Sequence, residues 1–162
     1  MSIFERVNRA NDRAGHLSYE LGDPLRRQVV LRHRTSNSGS ASPYAFSVDD
    51  TLLTPPPKVT TVSPRLVGLD IGDGNNLNTA ITVSASDLFA TVSRSYSRSL
   101  FTGKGNERVS VWVDPDLNSS GNLVYESGPE KRIVGGSEYR IVFLDDRDCC
   151  AWKLILRKLS DG

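Results

Sequence analysis

The residue pattern nearest to a known chemistry is Asp114-Pro115-Asp116-Leu117-Asn118, with the alternating oxygen donors of a calcium loop. Such a loop also needs a glycine at its sharp turn and a bidentate acid at its end. Here the next glycine is Gly121 rather than residue 119, the acid Glu126 falls one place late, and Pro115 stiffens the run. The spacing therefore predicts a solvated turn between strands. Asp70, Asp73 and Asn75 depart further from the same pattern, and no metal is expected there.

The chain has two histidines, His16 and His33. Neither lies at metal-ligand spacing or beside a nucleophile motif, so a histidine-activated serine or cysteine could arise only in space. Both read as surface or locally bonded. Gly103-Lys104-Gly105 lacks the spacing of a phosphate-binding loop and its following Ser or Thr, and reads as a loop tip. Arg26, Arg27, Arg32 and Arg34 cluster near one strand, and Arg94 and Arg98 flank Tyr96. Interleaved arginine and tyrosine can stack bases and grip phosphates. Yet 20 Lys+Arg nearly balance 19 Asp+Glu, a formal charge of +1, so no field draws nucleic acid or an anionic membrane. The arginines are expected on solvated strand faces or in salt bridges between subunits.

The two cysteines, Cys149 and Cys150, are adjacent. Neighbouring side chains leave an extended strand on opposite faces, so the expectation is a buried Cys150 beside Trp152, an exposed Cys149 and no disulfide. That usage suits a reducing compartment. Asn118-Ser119-Ser120 matches the glycosylation pattern. The first residues, Met1 to Arg6, carry charge too early for the apolar part of a signal peptide, so no secretion signal is expected and the match reads as coincidental. No run approaches the length of a membrane-crossing helix. The residue types thus assign no catalytic, cofactor-binding or metal-binding residue, and the chain reads as no enzyme.

The elements that would position these residues are mostly strands. The densest apolar alternation is a hairpin from Glu138 to Leu159: Tyr139, Ile141 and Phe143 on one face and Val142 and Leu144 on the other. After the turn Asp145 to Asp148, Cys150, Trp152, Leu154 and Leu156 share a face, opposite Lys153, Ile155 and Arg157. A hairpin alone is barely stable in water, so other strands must flank it. Candidates are Gln28 to His33, Val59 to Ile71 interrupted at Pro64, Thr79 to Val83, Arg108 to Val113, Asn122 to Glu126 and Arg132 to Val134. Residues 84–101 carry both patterns: Leu88, Val92, Tyr96 and Leu100 recur every four residues, while the serines from Ser93 to Ser99 alternate. The lean is to helix first and strand after.

Residues 2–14 predict a short amphipathic helix. Ser2 and Glu5 have capping-box spacing, Ile3, Val7, Ala10 and Ala14 form a stripe, and Gly15 is placed to end it. Such a helix needs a surface to lie on, its own domain or a neighbouring subunit. Thr35 to Pro43 reads as a flexible loop and Pro55-Pro56-Pro57 as a stiff segment outside the sheet or along its edge. Residues 15–58 thus promise little regular structure. The expected fold is mainly β: an antiparallel sandwich or barrel over 59–162, preceded by an arm, 1–58, with a short helix and a long irregular segment.

An arm, a long irregular segment, near-zero charge and no catalytic cluster together predict a structural protein of a large symmetric assembly. A tail, neck, baseplate or capsid-associated component of a phage or virus particle, assembled in a host cytoplasm, is the leading case. Its partners would be copies of itself and other structural proteins, with no membrane, nucleic acid, small-molecule ligand or cofactor. The alternative is a β-sandwich module for carbohydrate or another ligand, which would need an exposed aromatic platform; Trp112 and Trp152 both fall in expected core strands.

Overall fold

The computed structural model describes residues 2–36, 46–62, 70–71 and 81–159. In chain order the elements are α1 (Ile3–Glu20), β1 (Val29–Ser36), β2 (Phe46–Leu52), β3 (Lys58–Thr61), β4 (Asp70–Ile71), β5 (Ile81–Thr82), β6 (Leu88–Ser93), α2 (Ser99–Thr102), β7 (Arg108–Val113), β8 (Ser137–Asp145) and β9 (Ala151–Lys158). The fold is mainly β. Seven strands form one antiparallel sheet in the order β2-β1-β7-β8-β9-β6-β3, and β4 pairs with β5 apart from it. The C-terminal hairpin supplies the middle: β8 has three strands on either side.

The sheet is curled, and chain length shows why. A flat seven-stranded sheet would hold its edge strands about 29 Å apart, six spacings of about 4.8 Å. Here those edges are β2 and β3, joined by Leu53 to Pro57 alone. Six Cα steps reach at most about 22 Å. The edges are thus drawn together without pairing, and the sheet does not close. Its inner face carries one continuous core, from Val29 and Leu31 through Val111 and Val113 to Trp152, Leu154, Leu156, Leu88, Ala90, Val92 and Val59. The outer face is covered in two places. Ile133 and Leu123 pack on Val30 and Trp112, and Val62 and Val83 pack with Ile155, Phe89, Val142 and Phe143.

Several expectations change. Between residues 15 and 58 the described residues are not irregular: they hold the end of α1, β1 and β2, and β1 pairs with β7 in the middle of the sheet. Helix then strand in 84–101 is reversed, because Leu88, Ala90 and Val92 alternate inward as β6 and one short helical turn, α2, follows. Residues 122–126 and 132–134 make isolated bridges, Leu117 to Leu123 and Tyr125 to Ile133, instead of strands. In β8 the register slips between Ile141 and Phe143. That extra residue turns Leu144 to the inner core with Tyr139 and Ile141, and sends Phe143 outward with Val142. The Thr35–Pro43 loop falls largely outside the described residues, as do Pro64, Asp73 and Asn75.

Asp87 fixes the segment entering β6. Its side chain, 1% exposed, accepts from Arg157 Nε and Nη2 at 3.1 and 2.9 Å and from the Ser84 N–H at 3.0 Å. The Arg157 guanidinium holds this carboxyl below its ordinary value. A group whose folded value is lowered stabilises the fold above its unfolded value and loses that contribution as pH falls through the folded one. The stability gap between the native chain and Asp87→Asn should therefore be full at neutral pH and narrow below about pH 4, read from urea midpoints across pH.

Candidate functional site

α1 begins with the expected capping box: Glu5 N–H donates to Ser2 Oγ at 3.1 Å, and Ser2 N–H to Glu5 Oε2 at 3.2 Å. It then runs past Gly15 to Glu20. Gly15 does not end the helix; it is where the helix crosses the connector, since a Cβ there would stand 2.9 Å from Pro55 Cγ. The stop comes at Gly22, with φ +83°. Gly22 N–H bonds Tyr19 O and Asp23 N–H bonds Ser18 O, the paired bonds that close a helix C-terminus over a left-handed residue. Ser18 Oγ then donates to Asp23 Oδ2 at 2.6 Å, and that bond draws the Asp23 carboxyl below its usual value.

The side on which the helix is covered decides its role. Gly15 is buried, and Asn8, Asp12 and Ser18 are half-buried, a polar and small-residue stripe. The apolar stripe of Ile3, Val7, Ala10, Ala14 and Leu17 stays in solvent. Ile3 is 71% exposed, Leu17 57% and Leu21 79%. Of the eight large hydrophobic side chains exposed among the described residues, seven lie between Ile3 and Leu25. Among the described residues, none of the rest of the domain covers the apolar stripe. Exposed apolar surface concentrated in this way is uncommon on a free monomer.

The second feature is a polar cleft at the rim of the inner core, about 210 Å³ in volume, lined by His33, Asp49, Thr51, Ser97, Ser99, Lys104 and Glu107. His33 is neither on the surface nor locally bonded, for it is 8% exposed and its Nε2 donates to Leu100 O at 2.9 Å. The hydroxyls of Ser97 and Ser99 bond each other at 3.1 Å and not the imidazole, so the nucleophile–base contact of acyl-transfer chemistry is missing. His16 lies exposed on α1.

The arginines are committed within the chain. Arg27 forks onto Asp114 at 2.5 to 3.2 Å, Arg34 meets Glu138 at 3.0 Å, and Arg26 Nη1 donates to Pro56 O. Arg94 lies over the Trp152 ring, 3.7 Å from its centroid, and Arg98 approaches Asp146. Arg32 is buried on Asp50: Nε and Nη2 reach its two oxygens at 2.8 and 3.0 Å, with side-chain exposures of 1% and 5%. Tyr125 Oη donates to the same carboxylate at 2.7 Å. Burial, then that carboxylate, pushes the phenol up to about 12.

The Asp114–Asn118 run is a turn. Asp114 is spent on Arg27, and Asn118 Oδ1 accepts the N–H groups of Ser120 and Asn122. Trp112 and Trp152 are buried, their indole N–H groups bonded to Gly135 O and Tyr96 O, so neither offers a stacking platform. The cysteines correct the sequence most sharply. They precede β9 in a bend, Cys150 is only half-buried, and the sulfurs are 3.1 Å apart. The apolar stripe of α1 is legible in the sequence, which leaves its cover open between its own domain and a neighbouring subunit, because amphipathicity gives a helix's apolar side and not what covers it. No protein-family model matches the chain, and no curated protein matches it in sequence.

Proposed function

We propose that this chain is a non-enzymatic structural subunit of a large symmetric assembly, of the kind that builds phage or virus particles, and that α1 is its docking arm. The apolar stripe from Ile3 to Leu21, turned away from its own domain, carries this reading. Burying five such side chains is worth on the order of 10 kcal/mol. Association itself costs about 4–15 kcal/mol. One arm contact alone is therefore weak, and the repeated contacts of a closed ring make it hold. The same reading takes the curled sheet as an incomplete barrel, open between β2 and β3. The alternative, a carbohydrate- or ligand-binding module, has less support: both tryptophans are buried, and the cleft is smaller than the roughly 300–1,000 Å³ of ligand pockets. No described helix is long and apolar enough to cross a membrane.

The test is the mass of the chain in solution by light scattering across a concentration series, with limited proteolysis alongside. The native chain should form rings or larger multimers in which α1 resists protease. The double variant Val7→Glu, Leu17→Glu should stay monomeric with its circular dichroism spectrum unchanged, because both side chains already face water in the single chain. A native monomer whose α1 nonetheless resists protease overturns the proposal.

A further inference from the structure

The turn joining β8 to β9 brings together three side chains that neither the fold nor the docking arm requires. Cys149 and Cys150 lie in a bend, where the backbone no longer sends neighbouring side chains apart, and their sulfurs are 3.1 Å from each other. Asp148 Oδ1 accepts the Cys150 N–H at 2.8 Å, which pins its carboxylate on the same side. One ligand atom from each residue lies within 4.8 Å of the others, a convergence of His, Cys, Asp or Glu found nowhere else among the described residues. The turn beneath is held rather than loose. Asp145 accepts the Arg147 backbone and guanidinium N–H groups, and Arg94 Nη1 donates to Asp146 O from its place over Trp152.

We propose that Cys149, Cys150 and Asp148 form a binding site for a thiophilic divalent cation of the Zn²⁺ and Cd²⁺ class. Two sulfurs and one oxygen select such an ion: Ca²⁺ and Mg²⁺ demand six or more oxygens, whereas thiolates favour soft and borderline metals. Cys149 is exposed, which gives the ion a way in. A tetrahedral Zn²⁺ about 2.3 Å from each thiolate holds the sulfurs about 3.8 Å apart, so the pair opens by about 0.7 Å, within reach of a side-chain rotation in an exposed turn. Two S–H bonds give way to two metal–sulfur bonds, and both protons leave to solvent. Two thiolates and a carboxylate exceed the ion's charge by one, and Lys153 Nζ, 3.5 Å from Asp148 Oδ2, offsets it. Three protein ligands leave the fourth position to water or an outside donor.

Cd²⁺ makes the site visible through its thiolate charge-transfer absorption. Titrated into the full chain kept reduced with a phosphine, it should saturate that band at one equivalent, and added Zn²⁺ should abolish it. Cys149→Ser and Cys150→Ser should each remove the saturable band, and Asp148→Asn should weaken binding about tenfold or more. Circular dichroism of each variant checks that the sheet is intact. A reduced chain with no band at one equivalent, or a band that Cys149→Ser leaves unchanged, overturns the site. So does a chain isolated with the two sulfurs joined that, once reduced, still ignores Cd²⁺; the pair would then serve redox chemistry alone.

Discussion

Asp50→Ala should cost the fold about 3–5 kcal/mol, far more than a substitution on an edge strand usually does. The carboxylate is the counter-ion of Arg32, whose guanidinium is buried between β1, β2 and the 114–136 segment. Arg32 also gives Nη2 to Lys131 O at 2.5 Å, and Tyr125 gives its hydroxyl to Asp50 at 2.7 Å. Removing Asp50 leaves a full charge in a place water does not reach, and that stranded charge outweighs the lost contact. Two controls separate the causes. Replacing both partners with apolar residues, Arg32→Met with Asp50→Leu, should restore most of the loss, because no charge is left buried. In Asp50→Ala the Tyr125 phenol should titrate lower than its native value of about 12, followed by phenolate absorbance. A chain that tolerates Asp50→Ala within about 1 kcal/mol in urea would show that Arg32 finds water, and the network would not be the tie described.

Trp152→Ala should be comparably severe, about 3–5 kcal/mol from the lost ring and the cavity it leaves. For a chain of this size that lowers the thermal midpoint by roughly 10 °C. The indole holds three pieces together. Its ring meets Phe101 of α2 at 5.6 Å between centroids, Arg94 covers its face, and its N–H bonds Tyr96 O at 2.9 Å. Tyr96 in turn exchanges two hydrogen bonds with the backbone of Thr54, at 2.8 and 3.0 Å, in the connector between the two sheet edges. Trp152→Phe keeps a ring and loses the N–H bond, and should cost about 1–2 kcal/mol. Thermal unfolding followed by circular dichroism distinguishes the two. If alanine and phenylalanine cost the same, the hydrogen bond rather than the ring is what matters.

What could be read in the chain beforehand was local. Trp152, Leu154 and Leu156 alternate strictly and form the inner face of β9 as their spacing implied. Ser2 and Glu5 cap α1 as their separation required. What could not be read depended on distant partners. Asp49 and Asp50 fall in the stretch that reads as irregular, yet they lie in β2, where Arg32, eighteen places before Asp50, neutralises it. Leu88, Val92, Tyr96 and Leu100 fit a helix by their spacing, yet the first pair lies in β6, Tyr96 in the bend after it and Leu100 in α2, since β9 offered a ladder to the first pair. Gly15 reads as a helix stop until Pro55 is seen against it. On α1 the stripe itself was legible and its exposure was not.

The strand order carries a consequence for how the chain comes to be folded. β1 must wait for β7, some eighty residues downstream, before either side of its ladder beyond β2 is satisfied. β6 and β3 join the sheet's ladder order only through β9, while β3 also bridges Arg26 at Lys58, just before β1. While the ribosome has yet to make β9, the β3–β6 ladder and the β2–β1–β7–β8 ladder share no strand, and the apolar stripe of α1 is exposed. Folding dominated by such remote pairings is slow and leaves strand edges open to other chains. Until β9 is made, the exposed stripe of α1 and the open strand edges are the places where one copy can tangle with another.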